Sequence, residues 1–148
     1  MHIADFIAAD RIVLDPRARD KDQLLRELAK RAEPASGGIS ADAILTALRS
    51  REALGSTGLG RGFALPHARI EGLPRFVGLF ARLPRPIGYD AIDGAPVDLV
   101  FLLLMPAEEG HNHVAALAAV SRRFRDVETL ARLRKGDAEA ALATLTAP

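Results

Sequence analysis

The sequence predicts an α/β fold in which a mixed central β-sheet is flanked by helices on both faces. Helical periodicity near both ends of the chain, with β-like segments between them, indicates this class. The segment from Val97 to Met105 is almost entirely apolar and lies between two prolines, which is typical of a strand buried on both faces. A chain of 148 residues has the usual length of one domain, so residues 1–148 are assigned to a single domain.

The first third of the chain predicts a short strand and two helices. Residues 3–6 can form a helical turn, and Arg11–Asp15 is a short strand that ends at Pro16. Helices are expected from Asp20 to about Ala32 and from Ser40 to about Glu52. Each begins with a residue that can cap a helix N-terminus, and apolar residues follow at helical spacing.

Residues 54–67 interrupt the helical pattern. Four glycines fall within the eight residues 55–62, and so high a glycine content disfavours a helix. The backbone there is expected to adopt unusual torsion angles or to approach another group closely. Phe63–Leu65 is predicted to form a short strand that leads into Pro66 and His67.

The rest of the chain predicts two longer strands and then helices. The first strand, Phe76–Leu83, is expected to end at Pro84 and Pro86. The second is the apolar segment Val97–Met105. Apolar residues at helical spacing then predict three helices, at Asn112–Arg125, Val127–Arg134 and Asp137–Leu145.

The composition excludes several functional classes. Lys and Arg number 20 and Asp and Glu number 19, which argues against a strongly basic nucleic-acid-binding protein. The absence of cysteine rules out disulfides, thiolate metal sites, iron–sulfur clusters and cysteine nucleophiles. The longest apolar run is far shorter than the roughly 20 residues of a membrane-spanning helix, and the N-terminus lacks a signal-peptide pattern. We therefore expect a soluble cytoplasmic protein without nucleic-acid partners or direct membrane insertion.

Histidine is the side chain best suited to exchange protons or phosphoryl groups near neutral pH, and the chain has four histidines. His2 lies at the N-terminus and is expected to be inert. His67 follows Pro66, whose fixed φ makes the chain stiff and extended after the glycine-rich segment. Its ring is therefore well placed to present a nitrogen to a ligand. The alternative is a turn histidine whose ring caps a carbonyl group.

His111 and His113 follow the buried strand, in the region where ligands bind in open α/β sheets. A His-x-His pair can bind a metal ion, but no carboxylate or cysteine stands at a diagnostic spacing from this one. His113 directly precedes the apolar face of the next helix and is expected to point inward. The alternative is that one of the two is a surface residue near the helix start.

Arg51 lies just before the glycine-rich segment, and its planar guanidinium suits a phosphate. The segment is not a Walker A loop, because it lacks the Gly-Lys-Ser/Thr ending. Its main-chain N–H groups and the hydroxyls of Ser56 and Thr57 can nevertheless bind an anion. The simpler interpretation of Arg51 is a solvated arginine at a helix end.

The segments Arg51–Gly60 and Phe63–His67 together resemble the active-site signature of the type-2 enzyme IIA domains of the bacterial phosphotransferase system. A second match, Phe101–Ala107 followed by His113 and an amphipathic helix, extends the resemblance in order over nearly the whole chain. Within this fructose/mannitol-class family, the segment Asp90–Leu99 and the length of the chain are most similar to the nitrogen-regulatory branch (the PtsN type).

The resemblance implies that His67 accepts a phosphoryl group from a phosphohistidine on an HPr-like phosphocarrier protein. His113 matches the family's second active-site histidine, and Arg51 matches its phosphate-facing arginine. The chemistry agrees, because a neutral imidazole aimed at phosphorus needs cationic or donor groups around the phosphoryl oxygens. The other ring nitrogen should be held by a carbonyl group. The resemblance implies no cofactor and no metal, and regulatory target proteins as further partners.

Three functions stay open. The first is a phosphorylation-dependent regulator of the nitrogen-type system, which is favoured because no transporter, HPr-like or IIB-like segment is fused to the chain. The second is a sugar-specific component that passes phosphate to a transporter IIB domain. The third, from another class, is a metal-binding module that uses His67, His111 and His113.

Overall fold

A six-stranded mixed sheet with helices on both faces is seen in the computed structural model, which describes residues 1–108 and 110–148 and all their side chains except those of 110 and 111. The strands are β1 Ile12–Leu14, β2 Gly58–Gly60, β3 Phe63–Ala64, β4 His67–Ile70, β5 Val77–Ile87 and β6 Val97–Pro106. The helices are α1 Lys21–Ala32, α2 Ala41–Ala53, α3 Gly110–Arg125, α4 Val127–Leu133 and α5 Ala138–Thr146. Short 3₁₀ turns lie at Ile3–Asp5, Ala9–Arg11 and Glu33–Ser36. The predicted α/β class is confirmed.

The first two helices begin at the capping residues that the sequence indicates. The Asp20 side chain accepts a hydrogen bond from the main-chain N–H of Gln23 at 2.8 Å, and α1 follows it. The Ser40 hydroxyl accepts one from the N–H of Ala43 at 3.1 Å, and α2 follows it. Because α2 ends immediately before the glycine-rich segment, its last turn carries Arg51 to the edge of that segment.

Strand β6 lies inside the sheet and pairs along both of its edges. On one side β5 runs antiparallel to it, and β1 pairs in parallel with β5. On the other side β3 pairs with the first half of β6 and β4 with the second half, both in parallel. The order is β1-β5-β6-β3-β2, with β2 antiparallel to β3. This topology places His67, at the start of β4, opposite Leu103 in β6.

Alternate residues of β6 supply two hydrophobic cores, one on each face of the sheet. Val100, Leu102 and Leu104 join the core that contains α1 and α2, and Leu99, Phe101 and Leu103 join the core that contains α3, α4 and α5. Each of these six side chains is fully buried. From Leu99 onward the strand is apolar at every position, because each of its faces must be covered. Within the described part of the chain, no helix is both long and apolar enough to cross a membrane.

The strand predictions are wrong in two respects. Pro84 and Pro86 do not end the strand, since β5 continues to Ile87. Both prolines are exposed and lie where the pairing of β5 with β6 shifts register. Proline has no main-chain N–H, and at these positions none is needed to pair with β6. The sequence also fails to predict β2 and β4, which have only three and four residues. His67 is therefore the first residue of a strand and does not lie at the end of a loop.

Candidate functional site

His67 is held in place by the pairing of the chain on either side of it. The Pro66 carbonyl accepts a hydrogen bond from the main-chain N–H of Leu103 at 3.0 Å, which joins the start of β4 to β6. The main-chain N–H of Leu65 donates to the Thr57 carbonyl at 2.9 Å, which joins the same stretch to the glycine-rich segment. The backbone that carries the imidazole is thus fixed from two directions.

The two ring nitrogens of His67 have different partners. Nδ1 lies 2.8 Å from the carbonyl oxygen of Leu65. Because a carbonyl oxygen only accepts, Nδ1 carries the proton of the neutral imidazole and donates it. Nε2 therefore holds the lone pair, and it accepts a hydrogen bond from Nε of Arg51 at 3.3 Å. The prediction that a carbonyl group holds one ring nitrogen is confirmed.

Arg51 is oriented by the loop that follows its helix. Its Nη1 donates to the Gly55 carbonyl at 2.8 Å, while its Nε contacts the imidazole of His67. The interpretation of Arg51 as a solvated arginine is therefore wrong, because these bonds direct the guanidinium to the imidazole. A guanidinium has five N–H donors, so it can keep both bonds and still donate to an anion bound beside Nε2.

His113 lies near the start of α3 with only 2% of its surface exposed. Its Nε2 donates to the carbonyl of Pro106, the last residue of β6, at 2.6 Å. Its Nδ1 is buried and has no hydrogen-bond partner among the described residues. The prediction that His113 points inward is confirmed. Its Nδ1 is a buried polar atom that can still form a hydrogen bond with a ligand.

An open cavity of about 480 Å³ joins the three predicted site residues, since Arg51, His67 and His113 all line it. Leu54 and Val114 also line it, although 85% and 73% of their surfaces are exposed. The cavity thus combines a guanidinium and two imidazoles with exposed apolar side chains. The polar groups suit an anion, and exposed apolar side chains are typical of a surface that meets another protein.

The electrostatic surroundings keep the imidazole of His67 neutral. Burial lowers the pKa of His67 below its usual value of 6.5, and the charge of Arg51 lowers it further. The hydrogen bond to Leu65 and the charge of Glu52 raise the pKa but do not outweigh burial. At neutral pH the lone pair on Nε2 is therefore free of a proton.

We expect the His67 ring to titrate with a midpoint below pH 6.5. The folded state binds this proton less readily than the unfolded chain does. Above pH 6.5 the ring is neutral in both states and does not affect the free energy of unfolding. As the pH falls through the lowered pKa, the unfolded chain gains the proton more readily, and the free energy of unfolding decreases. An NMR titration of the ring protons measures the midpoint, and a value at or above 6.5 would contradict the assignment.

The hydroxyls of the glycine-rich segment are used within the loop itself. Ser56 Oγ donates to the Tyr89 carbonyl at 2.8 Å and accepts from the main-chain N–H of Gly58 at 3.1 Å. Thr57 is buried, and its hydroxyl donates to the carboxylate of Glu52. These hydroxyls are therefore committed to the fold, and the expectation that they bind an anion is wrong.

Sequence reasoning did not single out Glu52, whose side chain is only 6% exposed. Its carboxylate lies 2.9 Å from Nζ of Lys21 and accepts a hydrogen bond from the Tyr89 hydroxyl at 3.2 Å. Burial, followed by the charge of Glu52, raises the pKa of the Tyr89 phenol, which therefore keeps its proton as a donor. Nothing in the sequence distinguishes Glu52 from a surface glutamate at a helix end, because its burial depends on residues far away in the chain.

The described residues contain no group of three or more histidine, aspartate or glutamate side chains placed to hold a metal ion. The side chain of His111, which the metal-binding alternative requires, lies outside the described residues. Nε2 of His113 is already bonded to the Pro106 carbonyl, which leaves Nδ1 as the nitrogen for a ligand. The described side chains are better suited to an anion.

Known proteins resemble this chain over its whole length. A family model described as "Phosphoenolpyruvate-dependent sugar phosphotransferase system, EIIA 2" matches residues 5–147. A nitrogen regulatory protein of Bradyrhizobium diazoefficiens is 42% identical over 149 residues, which span 100% of this chain and 97% of the relative. One from Pseudomonas aeruginosa is 30% identical over 142 residues, which span 96% and 92%. The crystal structure of nitrogen regulatory protein IIA-Ntr from Neisseria meningitidis superposes with a TM-score of 0.92 at 36% identity, covering 97% of this chain and 99% of that one.

Proposed function

The chain belongs to the EIIA type 2 family of the phosphoenolpyruvate-dependent sugar phosphotransferase system, and from this premise we propose that it accepts a phosphoryl group on Nε2 of His67. The family resemblance inferred from the sequence motifs is confirmed. The proposed donor is a phosphohistidine on an HPr-like carrier. The proposed role is that of a nitrogen regulatory protein, whose phosphorylated and unmodified forms engage different targets.

The state of the His67 ring is the observation that carries the proposal. Its Nδ1 is tied to a carbonyl group, and its Nε2 has a lone pair beside a guanidinium in an open cavity. In the transfer, the Arg51 Nε–H leaves Nε2 and turns to a phosphoryl oxygen, and the freed lone pair attacks the phosphorus of the carrier's phosphohistidine. The N–P bond of the carrier breaks, its electron pair returns to the carrier's imidazole, and a new N–P bond forms on Nε2.

Arg51 and His113 are the proposed stabilisers of the phosphoryl oxygens. Arg51 carries a permanent charge next to Nε2, and its planar fork fits two oxygens at once. His113 has its Nε2 bonded to a carbonyl group, so its Nδ1, once protonated, is the atom that can donate to a phosphoryl oxygen. Each charge-assisted hydrogen bond contributes about 1.5–3 kcal/mol.

The exposed apolar side chains of Leu54 and Val114 support a docking role for the same cavity. A carrier must bring its phosphohistidine within bonding distance of Nε2 and must then leave, which requires a small surface around the acceptor. Partly apolar surfaces with polar surroundings serve such transient contacts. Family membership implies phosphocarrier partners in general, and this surface is where we expect the HPr-like carrier to bind.

A regulatory role follows from the charge that phosphorylation adds. A phosphoryl group brings about −1.5 to −2 charges at neutral pH. Placed in the cavity that Leu54 and Val114 also line, it would be poorly tolerated by a target that covers this surface with apolar groups. Targets with cationic groups would instead prefer the phosphorylated form. The full-length similarity to nitrogen regulatory proteins favours this role over that of a sugar-specific component.

The proposed function is tested by reconstituting the transfer with enzyme I, an HPr-like carrier and radiolabelled phosphoenolpyruvate. We expect about one acid-labile, alkali-stable phosphate per chain, since phosphohistidine has this stability, and no label when the carrier is left out. Absence of label on the chain while the carrier itself becomes labelled would refute the proposal. Adding a fructose/mannitol-class IIB domain tests the alternative, because rapid loss of the label to that domain would indicate a sugar-specific component.

A further inference from the structure

We propose that Glu52 is a positioning residue for phosphoryl transfer, because its buried carboxylate holds the loop to which both hydrogen-bond partners of the His67 ring, Leu65 and Arg51, are bonded. The inference rests on the proposed function, since it concerns the same imidazole. It assigns a role to a residue that does not itself touch the phosphoryl group. The loop concerned is residues 54–58, between the end of α2 and the start of β2.

Glu52 is bound on both of its carboxylate oxygens. Oε1 accepts from the main-chain N–H of Thr57 at 3.1 Å and pairs with Nζ of Lys21 at 2.9 Å. Oε2 accepts from the Thr57 hydroxyl and from the Tyr89 hydroxyl at 3.2 Å. Lys21 also lies 4.5 Å from the centre of the Tyr89 ring, so the cation and the phenol pack against each other. A carboxylate held by this many donors has a single orientation.

A continuous series of hydrogen bonds leads from this carboxylate to Nδ1 of His67. Thr57 is fixed by Glu52 through its main chain and its side chain, and its carbonyl accepts from the N–H of Leu65 at 2.9 Å. The carbonyl of Leu65 in turn holds Nδ1 at 2.8 Å. Moving Thr57 would therefore move the carbonyl that selects the tautomer of the imidazole.

A second route leads from the same loop to Nε2. The Gly55 carbonyl accepts from Nη1 of Arg51 at 2.8 Å, and Nε of Arg51 donates to Nε2 of His67 at 3.3 Å. The main-chain N–H of Gly55 donates to the Glu52 carbonyl at 3.1 Å, which ties Gly55 to the end of α2. The Glu52 side chain anchors the loop on its other side, at Thr57, so the position of the Gly55 carbonyl that orients the guanidinium is set from both sides by Glu52.

The chemistry of the anchor also argues for a role beyond stability. A buried ion pair often contributes little net stability, because desolvating the two charges offsets much of their attraction. What such a pair supplies well is a unique geometry, since each of its bonds is directional. A transfer between two imidazoles requires such a fixed geometry, because a displacement of about 1 Å at the reacting atoms can lower the rate on the order of 100-fold.

The test is Glu52→Gln, which keeps the size of the side chain but removes its charge and one acceptor oxygen. We expect the rate constant of transfer at saturating carrier to fall about 10- to 100-fold, with little change in the carrier concentration that gives half the maximal rate. We also expect the ¹⁵N signals of His67 to lose the pattern of one protonated Nδ1 and one bare Nε2. The matched control is Glu128→Gln, an exposed glutamate paired with Arg132 one helical turn away, and it should leave both readouts unchanged.

Thr57 supplies a second pair of variants in case Glu52→Gln fails to fold. Thr57→Val, which removes the hydroxyl that Glu52 binds, should shift both readouts in the same direction, and Thr57→Ser should restore them. The inference is overturned if Glu52→Gln and Thr57→Val lower only the unfolding midpoint, while the rate constant and the nitrogen signals stay as in the unsubstituted protein. If the unsubstituted protein takes up no phosphate, the proposed function fails, and the ¹⁵N signals, which need no carrier, still decide whether Glu52 positions the ring.

Discussion

Replacing His67 by alanine is expected to abolish phosphorylation by the carrier. No other described imidazole combines an Nδ1 held by a carbonyl with an Nε2 lone pair facing a guanidinium. His113 cannot substitute for it, because its Nε2 donates to the Pro106 carbonyl and its Nδ1 is buried. The measurement is transfer of label from phosphoenolpyruvate through enzyme I and the carrier. Incorporation should fall from about one phosphate per chain to background.

His2→Ala is the matched control for this experiment, because it removes a histidine that is exposed near the N-terminus. It should be labelled as fully as the unsubstituted protein. Equal labelling of His67→Ala and the unsubstituted protein would show that the acceptor is another residue. Circular dichroism of both variants checks that the fold is retained, since β4 begins at His67 and its main-chain pairing with β6 does not need the ring.

Arg51→Lys is expected to slow the transfer by about 100-fold, as observed when one preorganised donor to a developing anion is removed. Lysine keeps the positive charge but loses the planar fork, so it cannot bond the Gly55 carbonyl and the phosphoryl oxygens together in one fixed plane. The measurement is the rate constant of transfer in rapid-quench experiments with phosphorylated carrier.

Arg49→Lys provides the control, because Arg49 lies on the same helix and pairs with Asp22 on the surface. Its guanidinium makes two bonds to that carboxylate, so the substitution is chemically equivalent but remote from the cavity. We expect the rate of Arg49→Lys to match that of the unsubstituted protein. An unchanged rate in Arg51→Lys would remove Arg51 from the site, and an equal decrease in both variants would point to a general disturbance of α2.

Most of the fold could be predicted because its elements carry their own local signals. The capping residues Asp20 and Ser40 mark the start of α1 and α2, and apolar spacing marks the helices at the C-terminal end. The segment Val97–Met105 is apolar at every position except Asp98, which indicated burial on both faces and therefore helices on both sides of the sheet. These signals act over a few residues, so a single sequence is sufficient to reveal them.

The features that could not be predicted depend on contacts between distant residues. Strand β4 has four residues and forms because the chain after Pro66 reaches β6, which no local pattern indicates. Pro84 and Pro86 lie within β5 because the register with β6 shifts there, and this shift exists only once the two strands are paired. The site shows the same division. Motif residues could be named in advance, whereas the burial of Glu52 could not.

Both imidazoles of the site are attached to the same strand. His67 pairs with Leu103, and His113 is bonded to the carbonyl of Pro106, a few positions further along β6. Because β6 is so thoroughly buried, its rigid backbone fixes the points at which the two side chains are attached to the sheet. Phosphorylation should therefore leave the backbone conformation almost unchanged. A target protein would then distinguish the phosphorylated form from the unmodified form by its electrostatic potential.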